Sequence, residues 1–87
     1  MELIALLGSK NRLQILRHLS RNDMYVSEIM RNTNMDGRNT TMHLKKLEEA
    51  GLIKSYDKGR RKYYRLQKHV RLEIKPPPEG RFILFTT

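Results

Sequence analysis

Cysteine is missing from all 87 residues, and so is tryptophan. Without thiols there is neither a disulfide framework nor a thiolate metal site, and nothing calls for an oxidising compartment. Long apolar runs are missing too. The most hydrophobic N-terminal stretch, Leu3 to Gly8, is far shorter than the ~18 to 20 residues that cross a bilayer, and it lacks the basic flank of a signal peptide. A cytoplasmic chain with no membrane partner is therefore expected. Catalytic constellations are equally scarce. His18, His43 and His69 stand alone, with no second histidine at i+4 and no carboxylate at a ligand spacing, and there is no glycine-rich phosphate loop or nucleophile motif. Neither enzyme activity nor a metal or other cofactor is expected.

What is present is basic. The formal net charge is +9, with 38% hydrophobic and 7% aromatic residues, enough for the modest core of one small domain. The charge is localised. Residues 54 to 71 hold eight Lys or Arg (Lys54, Lys58, Arg60, Arg61, Lys62, Arg65, Lys68, Arg71) against one acid, Asp57. A concentrated cationic block is what a polyanion binder needs, because neutralising phosphates releases condensed counterions.

The stretch Asp36 to Ile53, DGRNTTMHLKKLEEAGLI, starts, runs and stops like one helix. Asp36 is a natural N-cap, and Gly51 can take the left-handed conformation that closes the last turn. Thr40, Leu44, Leu47 and the following Leu52 form a narrow buried stripe, so Arg38, Asn39, Met42, Lys45, Lys46 and Glu49 should face away.

Upstream, Leu3, Ile4, Leu6 and Leu7 make a short apolar helix ending at Gly8, and Ser9 caps a second helix, Lys10 to Leu19. Leu13, Leu16 and His18 or Leu19 alternate there with Arg12, Gln14 and Arg17 at helical spacing. Asn22 and Asp23 turn the chain, and Met24, Tyr25 and Val26 suit a small strand able to pair with a hairpin further on. Ser27 is expected to cap a helix from Glu28 to Thr33 with Ile29 and Met30 inward. Asn32 to Met35 form the turn that follows, Met35 packing in the angle. Downstream, Leu52 to Asp57 and Arg61 to Leu66 read as two strands joined around Lys58 and Gly59. Ile53, Tyr64 and Leu66 should face the helices, with Arg60, Arg61 and Lys62 at an exposed tip.

At the C-terminus, Pro76, Pro77 and Pro78 exclude a helix, while RLEIK (Arg71 to Lys75) and RFILFTT (Arg81 to Thr87) favour extended structure. Phe82, Ile83, Leu84 and Phe85 are too apolar to be left in water. The two flanks are expected to pair, packing on the N-terminal helix or across a two-fold axis.

The run HLKKLEEAGLI (His43 to Ile53), the basic turn KGRRK (Lys58 to Lys62), the following YYRL (Tyr63 to Leu66) and the opening LLGSKNRLQILRHL together resemble the winged helix-turn-helix domain of ArsR-like prokaryotic transcription regulators. The likeness runs from about Leu6 to Leu66. It implies an α+β winged helix-turn-helix with a two-stranded wing over residues 1 to 70; the extended C-terminal β segment after it, residues 71 to 87, for packing or dimerisation, is read from the prolines and their flanks. That segment departs from the resemblance, which implies a final helix completing a dimer interface; the first helix would contribute to the same interface.

The resemblance further implies a sequence-specific regulator that binds double-stranded DNA, as a homodimer on an inverted-repeat operator. Arg donates two bonds to guanine and Asn pairs with the edge of adenine in the major groove, so Arg38 and Asn39 are the first candidate base readers. Thr41, Met42 and Lys45 follow, for a phosphate or base edge, a thymine methyl and the backbone. Where relatives often read TVSRHL this chain reads TTMHL, so Met42 replaces a guanine-reading arginine. Arg60, Arg61 and Lys62 are the wing contacts to phosphate or minor groove, with Lys10, Arg12 and Ser27 as further phosphate candidates. His43 is read as a helix residue near DNA or packed beside the wing. The alternative is a winged-helix protein-interaction adaptor in a transcription or replication complex, using the apolar C-terminal segment. RNA binding ranks behind both, for want of stacking aromatics.

Overall fold

A computed structural model describes residues 2 to 87. The elements are α1 (Leu3–Leu7), α2 (Lys10–Leu19), β1 (Met24–Tyr25), α3 (Val26–Thr33), α4 (Gly37–Glu49), β2 (Ile53–Lys58), β3 (Arg61–Leu66), β4 (Val70–Lys75) and β5 (Arg81–Thr86). β1, β3 and β2 form one antiparallel sheet in that order, and β4 and β5 form a second, separate hairpin. The α+β class, the wing and the extended C-terminal segment are as expected.

Local signals set most of these boundaries. Ser9 Oγ accepts from the Arg12 amide, and Asp36 Oδ1 accepts from the Asn39 amide at 2.8 Å, so both expected N-caps are formed. Gly51 lies at φ +77°, just past α4. The wing is a tight hairpin: Lys58 pairs with Arg61, leaving Gly59 and Arg60 as a two-residue turn with Gly59 at φ +64°. Asn34, also in the left-handed region, opens the three-residue link from α3 to α4.

One expected cap is displaced. α3 begins at Val26, with Tyr25 before it in extended conformation, and Ser27 lies exposed in the first turn. Tyr25 is held extended by pairing with Tyr63, and the Glu28 carboxylate accepts the Tyr25 amide. Strand pairing thus fixes the switch point two residues before the serine.

The core joins all three layers: Leu6 of α1, Ile15, Leu16 and Leu19 of α2, Ile29 of α3, Leu44 and Leu47 of α4, and Met24, Leu52, Ile53 and Tyr64 from the sheet side. Met35 and Leu66 pack against it from the rim. The expected facing of α2 is corrected at two neighbouring residues. Arg12 is 7% exposed whereas Leu13 is 49% exposed. The inward stripe is Arg12, Ile15, Leu16 and Leu19, and the guanidinium takes the apolar position because it finds acceptors there. Its Nε donates to the Leu6 carbonyl at 2.6 Å and Nη2 to that of Ala5, carbonyls at the open end of α1.

Candidate nucleic-acid interface

α4 divides into two sides. Thr40, His43, Leu44 and Leu47 are buried, while Arg38, Asn39, Thr41, Met42 and Lys45 are exposed; Lys46 is half-buried. Thr40 turns its hydroxyl to the Asp36 carbonyl at 2.7 Å and so seals into the core without an unsatisfied oxygen. The acids of this helix, Glu48 and Glu49, sit at its C-terminal end, where Glu48 accepts from Ser55 Oγ of β2. The outer side ahead of them holds Arg38 and Lys45, and neither has a carboxylate partner among the described residues. Asn39 is less free. Its Nδ2 donates to Asp36 Oδ2 at 3.0 Å, so the side-chain amide is turned back onto the cap.

The wing cations have different surroundings. Arg60 occupies the turn and is exposed. Arg61 lies with its guanidinium carbon 4.2 Å from the centre of the Tyr25 ring, and Lys62 lies 5.8 Å from that of Tyr64. Arg61 is thus a brace of the sheet as well as a surface cation. Lys10 and Ser27 are exposed, but the expectation of Arg12 as a phosphate contact is overturned by its burial under α1.

Three features were not anticipated. The register places Tyr25, Tyr63 and Tyr56 in one row across β1, β3 and β2. Tyr25 and Tyr63 meet edge to face at 5.5 Å, and Tyr63 and Tyr56 stack at 5.6 Å. Aromatics are therefore grouped on this sheet. Their faces are turned to one another and to Arg61 and Arg65, which stiffens the wing rather than opening a platform for bases. Next, Asp23 clamps the wing to the α2–β1 turn. It accepts from Tyr56 Oη at 2.6 Å and forms an ion pair with Arg65 at 3.0 Å. The Tyr56 hydroxyl is held above its ordinary pKa, first by this hydrogen bond, then by burial and by the Asp23 charge.

The last is His43. It does not lie beside the wing or on the outer face of α4, as expected; its Nδ1 faces Arg12 Nη1 at 3.2 Å inside the protein. Burial, then the charges of Arg12 and Lys46, lower its pKa, so the imidazole is neutral and Nδ1 accepts from the guanidinium. Spacing along the chain carried no sign of this pair, because its members are 31 residues apart.

Helices α3 and α4 joined by three residues, followed by a β hairpin paired back onto a strand at the start of α3, define a winged helix-turn-helix. The chain belongs to the ArsR family of bacterial regulatory proteins, whose sequence profile matches residues 9 to 55. That family consists of transcription regulators and is not an enzyme class. Two similar structures come from Mycobacterium bovis. A possible transcriptional regulatory protein (fragment 1–100) is 33% identical, with TM-score 0.65, over 70% of this chain and 66% of that one. The homodimeric winged helix-turn-helix DNA-binding domain Mb0332, a possible ArsR-family regulator, is 32% identical, with TM-score 0.67, over 71% of this chain and 57% of that one. The chain thus spans less than two thirds of either. NolR from Sinorhizobium fredii, at 22% identity and TM-score 0.69, shares the fold. Comparison with curated proteins gave no match. No helix among the described residues is long and apolar enough to cross a membrane.

Proposed function

We propose that the chain is a cytoplasmic, sequence-preferring regulator that binds double-stranded DNA as a homodimer on an inverted-repeat operator. The reading rests on one observation above all: the outer side of α4 keeps two cations and several hydrogen-bonding side chains in water, while its other side is sealed into the core. In this arrangement α4 enters the major groove. Arg38 reads a guanine edge, Asn39 an adenine edge after releasing Asp36, Thr41 and Met42 contact a base edge and a thymine methyl, and Lys45 holds a phosphate. Arg60, Arg61 and Lys62 grip the neighbouring backbone or minor groove. Residues 1 to 70 would carry this contact and residues 71 to 87 would serve packing or dimerisation. The homodimeric state of the similar M. bovis domain supports a two-fold complex, with half-sites about one helical turn, ~34 Å, apart.

Selection of bound fragments from a random DNA pool tests the proposal. Recovery of an inverted repeat, with affinity falling steeply as salt rises, is the expected result. Equal affinity for all sequences, or no retention of DNA at low salt, would refute it. The adaptor reading predicts that alanine at Arg60, Arg61 and Lys62 together leaves function intact; the proposal predicts loss of DNA affinity across all sequences.

A further inference from the structure

The large apolar side chains left in water are grouped. Apart from Met42 on α4 and Phe85, those more than a third exposed are Ile4, Leu13, Val70, Leu72, Ile74 and Phe82. Four of these share one face of the β4–β5 hairpin, because the register sets Leu72 opposite Leu84 and Ile74 opposite Phe82, and side chains alternate between faces. The other face carries Arg71, Lys75 and Arg81, all tied to Glu73, beside Ile83 and Phe85, with Arg71 5.8 Å from the centre of the Phe85 ring. The hairpin thus has a mixed face capped by charges and a dry one. At its base the dry face runs into a hollow of ≈ 480 Å³, where Val70 and Leu72 meet Leu7 of α1 and Leu13 and Leu16 of α2. Arg17, Lys68 and His69 also line it.

A two-stranded hairpin in water is marginal unless something covers it. The dry face with Leu13 offers on the order of 500 Å² of apolar surface, within the range of the largest patch on a monomer and more than half of the ~800 Å² that each partner gives to a stable interface. We infer that its occupant is a second copy of this chain, bound by a reciprocal clasp of the two hairpins. The clasp deepens the homodimer reading and rests on it.

Two features select a copy of the same chain. A two-fold contact sets the same patch on both sides, so a ridge beside its own matching hollow is self-complementary, and the hairpin and the hollow at its base are such a pair. Six-residue strands span about 20 Å, so two hairpins laid dry face to dry face and antiparallel carry each tip over the other's base. Ile74 and Phe82 of each copy then fall on Leu13 and Val70 of the other. No clasp residue belongs to α4 or the wing, so Arg38, Lys45 and Arg60 stay uncovered.

Sedimentation equilibrium of the full chain without DNA, in wild type and in Ile74→Glu and Phe82→Glu, tests the clasp. Both side chains are outside the core, so the far-UV spectrum and the melting of the winged domain should hold while the dimer dissociation constant rises about a hundredfold or more. Because the chain has no cysteine, a mixture of Leu13→Cys and Phe82→Cys chains should oxidise to an inter-chain disulfide, and a mixture of Lys45→Cys and Phe82→Cys should not. A wild-type dimer with the same dissociation constant in both glutamate variants overturns the clasp and leaves the homodimer reading standing. A wild type that is monomeric at roughly 100 µM, and also on an inverted repeat, overturns both.

Discussion

Arg12 joins three parts of the protein through one guanidinium: the open end of α1 at Ala5 and Leu6, its own helix, and His43 on α4. Arg12→Met keeps the volume but strips the buried Leu6 carbonyl of its guanidinium donor and leaves His43 Nδ1 without a partner, and should cost about 2 to 3 kcal/mol in urea unfolding. His43 adds a pH dependence. Its folded pKa lies below the ordinary 6.5, so the unfolded chain binds the proton more readily. This contribution to stability is complete above pH 6.5 and is lost as pH falls through the folded value. Thermal unfolding from pH 7.5 down to 5 should show it, and His43→Gln, which still offers Arg12 an acceptor, should remove this part of the slope. The same proton would bring a second cation against Arg12 on the buried side of α4. On the outer side of α4, Asn39→Ala should relax preference at one base position by about 1 to 3 kcal/mol and leave the salt slope unchanged, since a base contact releases no counterion.

The wing shows how neighbouring cations part company. All three are exposed, but Arg60 sits in the turn and Lys62 lies loosely over Tyr64 at 5.8 Å, whereas Arg61 closes one end of the Tyr25–Tyr63–Tyr56 row at 4.2 Å. Arg60→Ala and Lys62→Ala should therefore lower DNA affinity on every sequence with little change in melting temperature. Arg61→Ala should lower both, by a further ~1 kcal/mol of stability, read by DNA titration beside thermal unfolding. α4 was legible in the sequence because its cap, stripe and closing glycine all act within one helix, and the wing because Gly59 marks its turn. The prolines likewise announced the C-terminal hairpin. The exchange of Arg12 for Leu13 was not legible, since the acceptors that make a buried guanidinium tolerable are the end of another helix and a histidine far along the chain. Nor was the tyrosine row, because Tyr25, Tyr56 and Tyr63 become neighbours only once the register of three strands is fixed. Among the proposed base and phosphate contacts, residue types and faces could be read in advance. The hold of Asp36 on the Asn39 amide could not, because it depends on rotamers.

At the scale of the whole molecule, mass and core do not coincide. The protein measures 53 × 23 × 23 Å with a radius of gyration of 14.4 Å, against about 12 Å for a compact chain of this length. The excess lies in β4 and β5, because the buried core ends at Tyr64 and its rim at Leu66. Gln67 closes the winged domain: its amide donates to the Leu52 carbonyl and its Nε2 to that of Gly51. A chain ending at Lys68 keeps every one of these bonds and every core residue. It should melt cooperatively within a few degrees of the full-length monomer, a shift of ~1 kcal/mol or less. If the hairpin is what joins two copies, the shortened chain should be monomeric and should bind a single half-site as the full chain does. It should lose the advantage of about 10² to 10⁴ that linking two DNA-binding units confers on an inverted repeat. Titration of both chains on half-site and inverted-repeat duplexes separates the terms. Equal loss on both duplexes would place the hairpin in the DNA contact itself, whereas loss confined to the inverted repeat would leave it the task of holding two domains at the spacing of the groove.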